Sequence, residues 1–252
     1  MTLSRDTTSS KRAGDESAGS PRGLVGALFN SRAVGKIYAF LADHRLWAEQ
    51  NLKLLHYLAP DAPNDPTIVD LGAGTGIGTL AMAEALDGRG DLLGVDFSSA
   101  MIERARRNLA RRSLANVRFE QGDATRLSSI EDASVDLVVA HSFLYLVPDK
   151  AQVLVEARRI LKPTGRLVFM EPREEGSFAA AALRAVSGLG RVAHHPMSSL
   201  RLACAMTAWR VMSGLEGRPT EAQLTRLFDG AGFEEVRFEP TLGGIGHHVI
   251  AR

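Results

Sequence analysis

The sequence predicts an α/β fold: a doubly wound, mainly parallel seven-stranded sheet of Rossmann type, with an antiparallel last strand and a helical cap. Three observations predict it. From Thr67 to Glu171, short apolar runs alternate with helical segments, which is the rhythm of successive βαβ units. A glycine cluster, Gly72-Ala73-Gly74-Thr75-Gly76, sits where the first apolar run gives way to the first helix of this series. Two more runs, 233–240 and 245–251, follow each other with no helix between them. A closing hairpin of this kind puts an antiparallel strand on a parallel sheet.

The elements follow in order. Residues 1–22 are rich in Ser, Thr, Gly and charge, and a disordered tail is expected there. Residues 23–252 are expected to form one domain. Its lead-in, 23–59, reads as helical: apolar residues recur at Ile37, Phe40, Leu41, Leu46, Trp47 and Leu52, with no proline before Pro60. TIVDLG at 67–72 is the first strand, and Ile77 to Leu86 is an Ala-rich helix ending near Gly88 and Gly90. DLLGVDF at 91–97 is the second strand. Ser98 or Ser99 can cap the next helix, whose apolar face is Ile102, Ala105 and Leu109. Asn116 to Phe119 and Val135 to Ala140 are the third and fourth strands. Pro148 and Asp149 open a helix that LKPTG at 161–165 should close, because Pro and Gly stop helices. RLVFME at 166–171 is the fifth strand. Residues 176–217 break the rhythm: they are helical, apolar and placed after the fifth strand, so a helical cap over the ligand crevice at the strand ends is expected. Thr220 to Asp229 is the last helix.

Composition narrows the function. The chain has 252 residues, 45% hydrophobic and 23% charged, the mix of an ordinary globule. Thirty Lys plus Arg against 29 Asp plus Glu leave a net charge of +1. That balance argues against nucleic acid as the partner. A single cysteine excludes an intrachain disulfide and a thiolate metal cluster. No metal site is expected: the pairs His194-His195 and His247-His248 have no acid or thiol at ligand spacing, and one histidine of the second pair should be solvated. No membrane span is expected, since Leu200 to Met212 is broken by Arg201, Thr207 and Arg210. Peripheral membrane contact stays open. A cytoplasmic monomer or homodimer acting on a small molecule fits these features.

The glycine loop carries the chemistry. A dinucleotide fingerprint is GxGxxG, and its third glycine would fall on Ile77. Here the pattern is GxGxG, with Asp70 two residues before its first glycine. An acid there repels a pyrophosphate and suits a ligand with an amino or sulfonium group. That ligand is S-adenosylmethionine rather than NAD. Asp96 ends the second strand, where an acid can accept both hydrogen bonds of a ribose diol. Gly122-Asp123-Ala124 follows the third strand. Asp123 could accept from an adenine amino group and the Ala124 N–H could donate to a ring nitrogen.

With these residues in place, the chain resembles the class I S-adenosylmethionine-dependent methyltransferases of the type 11 group. The resemblance rests on VDLGAGTG at 69–76, GVDFS at 94–98 with Met101, GDA at 122–124, VDLVVAHSFLYLVPD at 135–149 and LKPTGRLVFMEP at 161–172. It implies the cofactor lying over Gly72, Gly74 and Gly76, with Asp70 at the amino acid moiety and Asp96 at the ribose. Asp123 and Ala124 would hold the adenine, Phe97 and Met101 would also touch the cofactor, and His141 would face the methyl group. His141 and Tyr145 are the candidate catalytic residues, the first for acid–base or substrate-orienting work and the second as a wall of the acceptor pocket. Tyr38, His44-Arg45-Leu46-Trp47 and Thr241-Leu242-Gly243-Gly244 are similar to segments of the ubiquinone/menaquinone biosynthesis C-methyltransferases. The Asn-Asp pair of that group is replaced by Leu41-Ala42-Asp43, and Leu242 separates the threonine from the glycines. The expected acceptor is apolar or aromatic, with quinol-type C- or O-methylation first. A phospholipid or sterol methyltransferase and a catalytically silent cofactor-binding protein remain as alternatives.

Overall fold

The computed structural model describes residues 45–175 and 196–252. The tail, Tyr38, His44, His194-His195 and the first half of the expected cap lie outside the described residues. One seven-stranded sheet organises the rest. Its strands are β1 (Thr67–Leu71), β2 (Asp91–Asp96), β3 (Val117–Gln121), β4 (Val135–His141), β5 (Leu161–Pro172), β6 (Val236–Thr241) and β7 (Gly246–Ala251). Their order is β3-β2-β1-β4-β5-β7-β6. The first five run parallel, while β7 is antiparallel to both β5 and β6. The expected architecture holds, including the helix-free final hairpin.

Strands β1 and β4 sit at the centre, which is why they read as nearly unbroken apolar runs. Alternate residues feed two cores. Val69, Leu71, Val138 and Ala140 enter one, and Ile68, Leu137 and Val139 enter the other. Each such side chain contributes roughly 1.5–3 kcal/mol through burial. Among the described residues six helices cover the sheet: α1 (Arg45–Leu54), α2 (Ile77–Ala85), α3 (Ser99–Leu109), α4 (Lys150–Ile160), α5 (Pro196–Glu216) and α6 (Glu221–Gly230). Caps set their starts. Ser98 accepts from the Met101 N–H, and Asp149 from the Gln152 N–H. Thr220 and Gln223 form a reciprocal capping box on α6.

One boundary differs from the sequence expectation. LKPTG does not simply end α4, because strand β5 begins at Leu161. Val135 pairs with Leu161 and Leu137 with Arg166, so the intervening residues bulge out of the ladder. Gly165 makes this possible: a Cβ there would lie 2.8 Å from the Val135 carbonyl oxygen.

The lead-in helix α1 is placed by both neighbours. Gly78 of α2 lets it approach closely, since a Cβ on Gly78 would sit 2.5 Å from Asn51 Cγ. From the other side, Thr241 Oγ1 donates to Gln50 Oε1 at 3.1 Å. In the 3-10 turn after α1, the Tyr57 hydroxyl donates to Glu239 at 2.7 Å and lies 2.9 Å from His248 Nδ1.

Candidate active site

Parallel sheets offer a crevice beyond the carboxyl ends of their strands, where the strand order reverses. Here that point lies between β1 and β4. The chain leaves β1 through three left-handed glycines, Gly72, Gly74 and Gly76, with φ of 71°, 55° and 76°. The N–H groups of Gly72 and Ala73 donate to the Val95 carbonyl at 2.8 and 3.0 Å. The three glycines face different surroundings. A Cβ on Gly72 would overlap the Phe143 ring, and one on Gly76 would come within 2.5 Å of Phe119 and 2.9 Å of Ala105. A Cβ on Gly74 would meet nothing nearer than 3.9 Å, because Gly74 faces an open cleft.

Two acids flank this loop, Asp96 behind it and Asp70 beside the cleft. Asp96 spans it: Oδ2 accepts from the Gly74 N–H at 2.9 Å and Oδ1 from the Ser98 N–H at 2.8 Å. Burial pushes its carboxyl up, and those two donors pull it down. Asp70 is buried beside the loop and accepts from Thr79 Oγ1 at 2.6 Å. Burial pushes it up to about 7, against the pull of the Thr79 hydroxyl, and the charge of Asp96 adds to the rise.

Across the cleft, β4 ends at His141 and the chain turns at Ser142. Ser142 has a φ of 56°, a conformation that costs a residue with a side chain about 1–2 kcal/mol. Its N–H donates to the Met170 carbonyl at 2.7 Å. Its hydroxyl oxygen accepts from Trp209 Nε1 of α5 at 2.9 Å and lies 3.1 Å from His141 Nδ1. His141 Nε2 is buried, with no hydrogen-bond partner among the described residues. Burial, then the nearby His248, hold the imidazole down to about 3, so the ring is neutral near pH 7. Trp47 of α1 packs edge-on against His141 at 5.2 Å and lies 6.2 Å from Trp209. The cleft is thus walled by Trp47, Asn51, Asp70, the glycine loop, His141 and Trp209, with Ala205, Ala208 and Met212 of α5 beside them.

Glu171, at the end of β5, organises the turn after Ser142. It is fully buried and accepts from the N–H groups of Phe143, Leu144 and Tyr145 at 3.0, 2.8 and 3.2 Å. Burial pushes it up to about 7, opposed by these three donors.

The structure brings Asp70, Gly72, Gly74 and His141 together around one cleft. The other predicted residues stand elsewhere. Gly76 faces Phe119, and Asp96 lies behind the loop. Phe97 is 40% exposed, while Met101 is buried in the first turns of α3. Asp123 closes its own turn, accepting from the Thr125 N–H and hydroxyl at 2.9 and 2.8 Å, and Ala124 belongs to the core. Tyr145 is buried in the turn that Glu171 holds and is not part of the cleft wall. The expectation of a solvated histidine at 247–248 fails: His247 and His248 are both buried, His248 against Tyr57 of the 3-10 turn and His247 against Phe238 of β6 and Glu221 of α6. Sequence reasoning missed Glu171, Ser142, Trp209 and Asn51. A lone acid ending the apolar run RLVFME was the available signal for Glu171. Nothing local marks the other three.

Fold and cleft together define a doubly wound α/β protein with its cleft at the first strand–helix turn. A methyltransferase-domain family profile matches residues 64–232, well over half of the chain, so the chain belongs to that family. A demethylmenaquinone methyltransferase of Lactiplantibacillus plantarum is 38% identical over 132 residues, 52% of this chain and 53% of that protein. The chain therefore spans about half the length of this relative. A demethylmenaquinone methyltransferase of Lactococcus lactis is 30% identical over 217 residues, covering 83% of this chain and 81% of that protein. Among solved structures, a SAM-dependent methyltransferase from Aquifex aeolicus aligns over 86% of this chain and 96% of its own, with a TM-score of 0.61 and 17% identity. A Haemonchus contortus phosphoethanolamine N-methyltransferase 2 bound to S-adenosylhomocysteine aligns over 90% of this chain and 58% of its own, with a TM-score of 0.62 and 14% identity. At such identities the two structures speak for the fold. Among the described residues, no helix is long and apolar enough to cross a membrane.

Proposed function

We propose that the chain methylates a small apolar or aromatic acceptor of quinol type, at carbon or oxygen. The observation that carries this reading is the wall opposite the glycine loop, where two tryptophans, a methionine and alanines frame one neutral imidazole. Such a surface favours a flat, apolar partner with one polar group. The demethylmenaquinone methyltransferase names of the relatives point the same way.

The residues present fit the cofactor. Gly74 leaves open space where a Cβ would stand, and Asp70 puts an acid beside the loop, complementary to an amino or sulfonium group. In this reading Asp70 and the loop backbone hold the amino acid moiety. Asp96 uses its remaining lone pairs for the ribose diol, since each oxygen accepts only one bond from the protein. Asp123 and Ala124 hold the adenine, and Phe97 and Met101 also touch the cofactor. Bound S-adenosylmethionine supplies an activated methyl group on a cationic sulfur. The chain's own work is positioning and exclusion of water: Trp47 and Trp209 cover the cleft, and His141 orients the acceptor. Tyr145 backs the turn that follows His141.

The test is methyl-label transfer. The pure protein is incubated with methyl-labelled S-adenosylmethionine and an extract of its own cells, and the products are fractionated. Label in an apolar small-molecule fraction is the expected result. Label in protein or nucleic acid overturns the acceptor class.

A further inference from the structure

His141 is a polar side chain set among the aromatic walls of the cleft, and its chemistry depends on which ring nitrogen carries the proton. Hydrogen-bond accounting around Ser142 decides this. An indole N–H can only donate, so the Ser142 oxygen is the acceptor of the 2.9 Å bond from Trp209 Nε1. The Ser142 hydroxyl proton then needs an acceptor of its own, because a buried polar group left unpaired costs more than a hydrogen bond returns. Among the described residues the acceptor within reach is His141 Nδ1, at 3.1 Å. An imidazole that accepts at Nδ1 carries its proton on Nε2. Nε2 is buried and has no hydrogen-bond partner among the described residues.

We infer that Trp209 and Ser142 lock His141 as the Nε2–H tautomer, so that the cleft offers its acceptor substrate an N–H donor and not a basic lone pair. The inference deepens the proposed function and rests on it only for the substrate class. The acceptor needs an oxygen beside the methylated atom, as in a phenolate, an enolate or a carbonyl. An acceptor that arrives as its oxyanion, its proton already given to water, requires a donor and no base for the transfer itself: the C–C bond forms as the C–S bond breaks, and the proton left on a methylated ring carbon passes to water as the oxygen regains one. The neutral state of the ring agrees with this role. Ser142 and Trp209 are then positioning residues, and the left-handed backbone at Ser142 is what turns its hydroxyl back toward His141.

The tautomer can be read on the free protein, independently of any acceptor. The protein is labelled with 15N-histidine, and two-bond proton–nitrogen correlations are recorded at pH 7. The His141 signals are assigned by their loss in His141→Gln. The expected pattern is an unprotonated Nδ1 and a protonated Nε2. Ser142→Ala and Trp209→Phe should each move the tautomer ratio toward Nδ1–H, by about fivefold for Ser142→Ala. A native Nδ1–H pattern overturns the inference, and so does a native Nε2–H pattern that neither variant shifts. Kinetics give a second test with the acceptor found by label transfer. His141→Gln keeps an N–H donor and should fall less than tenfold in kcat, whereas His141→Phe should fall about 10- to 100-fold. Equal losses in the two variants overturn the donor role. Label in an unexpected fraction would sink the quinol reading and leave the tautomer result standing.

Discussion

Gly74 and Gly76 stand two residues apart in the same loop with similar backbone angles, yet replacing each by alanine should break different things. Both variants force a side chain into a left-handed conformation, at a cost of about 1–2 kcal/mol. Gly76→Ala adds a collision, because its Cβ would lie 2.5 Å from the Phe119 ring and 2.9 Å from the Ala105 methyl. Overpacking of that kind costs about 1–3 kcal/mol more. The total is about 2–5 kcal/mol, or a fall in Tm of about 4–20 °C for a chain of this size. Gly74→Ala meets nothing nearer than 3.9 Å and should lose only the backbone term. Its methyl group enters the cleft, however, where it should weaken S-adenosylhomocysteine binding by about 10- to 100-fold. Thermal melts with and without S-adenosylhomocysteine, together with calorimetric titration, separate the two effects. Gly76→Ala should melt about 4–20 °C early, and Gly74→Ala only about 2–8 °C early but with little gain from ligand. A Gly74→Ala variant that binds like the native protein would refute the assignment of the cleft, and a Gly76→Ala variant as stable as native would refute the packing argument.

Three further outcomes are expected. Asp96→Asn keeps one carbonyl oxygen for two N–H donors, so the loop or the α3 start loses a bond worth about 1–3 kcal/mol, visible as a lower urea midpoint at unchanged m-value. Asp70 and Glu171 are both held up to about 7 from ordinary values of 3.8 and 4.5. Their neutral forms suit the fold, so their contribution is full below about pH 4 and declines as pH rises through 7, by several kcal/mol at most. Urea midpoints should fall across pH 7, and Asp70→Asn should flatten that fall; a midpoint that climbs through pH 7 would contradict the sign. Thr79→Val removes the hydroxyl that lowers Asp70, so its pH step should move upward, which the same titration detects.

The order of strands and the glycine loop were legible because they depend on local patterning. Central parallel strands are buried on both faces, so β1 and β4 had to be apolar runs, and the glycines had to sit where φ turns positive. The roles of individual site residues were less legible. Asp96 faces the loop backbone and Asp123 its own turn, and spacing alone does not separate these partners from a ligand. Ser142 and Trp209 lie 67 positions apart and meet only after α5 folds over β4. The two buried histidines of β7 defeated the alternation rule because that rule assumes one wet face, and β7 has none.

That placement of β7 governs when the site can come into being. The strand is added last in sequence yet slots between β5 and β6, inside the sheet and not at its edge. Residues 191 positions apart, Gln50 with Thr241 and Tyr57 with His248, then clasp α1 to the C-terminal hairpin. Trp47 rides on α1, so the wall of the cleft is fastened by the final hairpin. A growing chain therefore cannot assemble a finished pocket while its last strand is still inside the ribosome, and premature termination anywhere before β7 should leave an open sheet edge prone to aggregation and no competent enzyme.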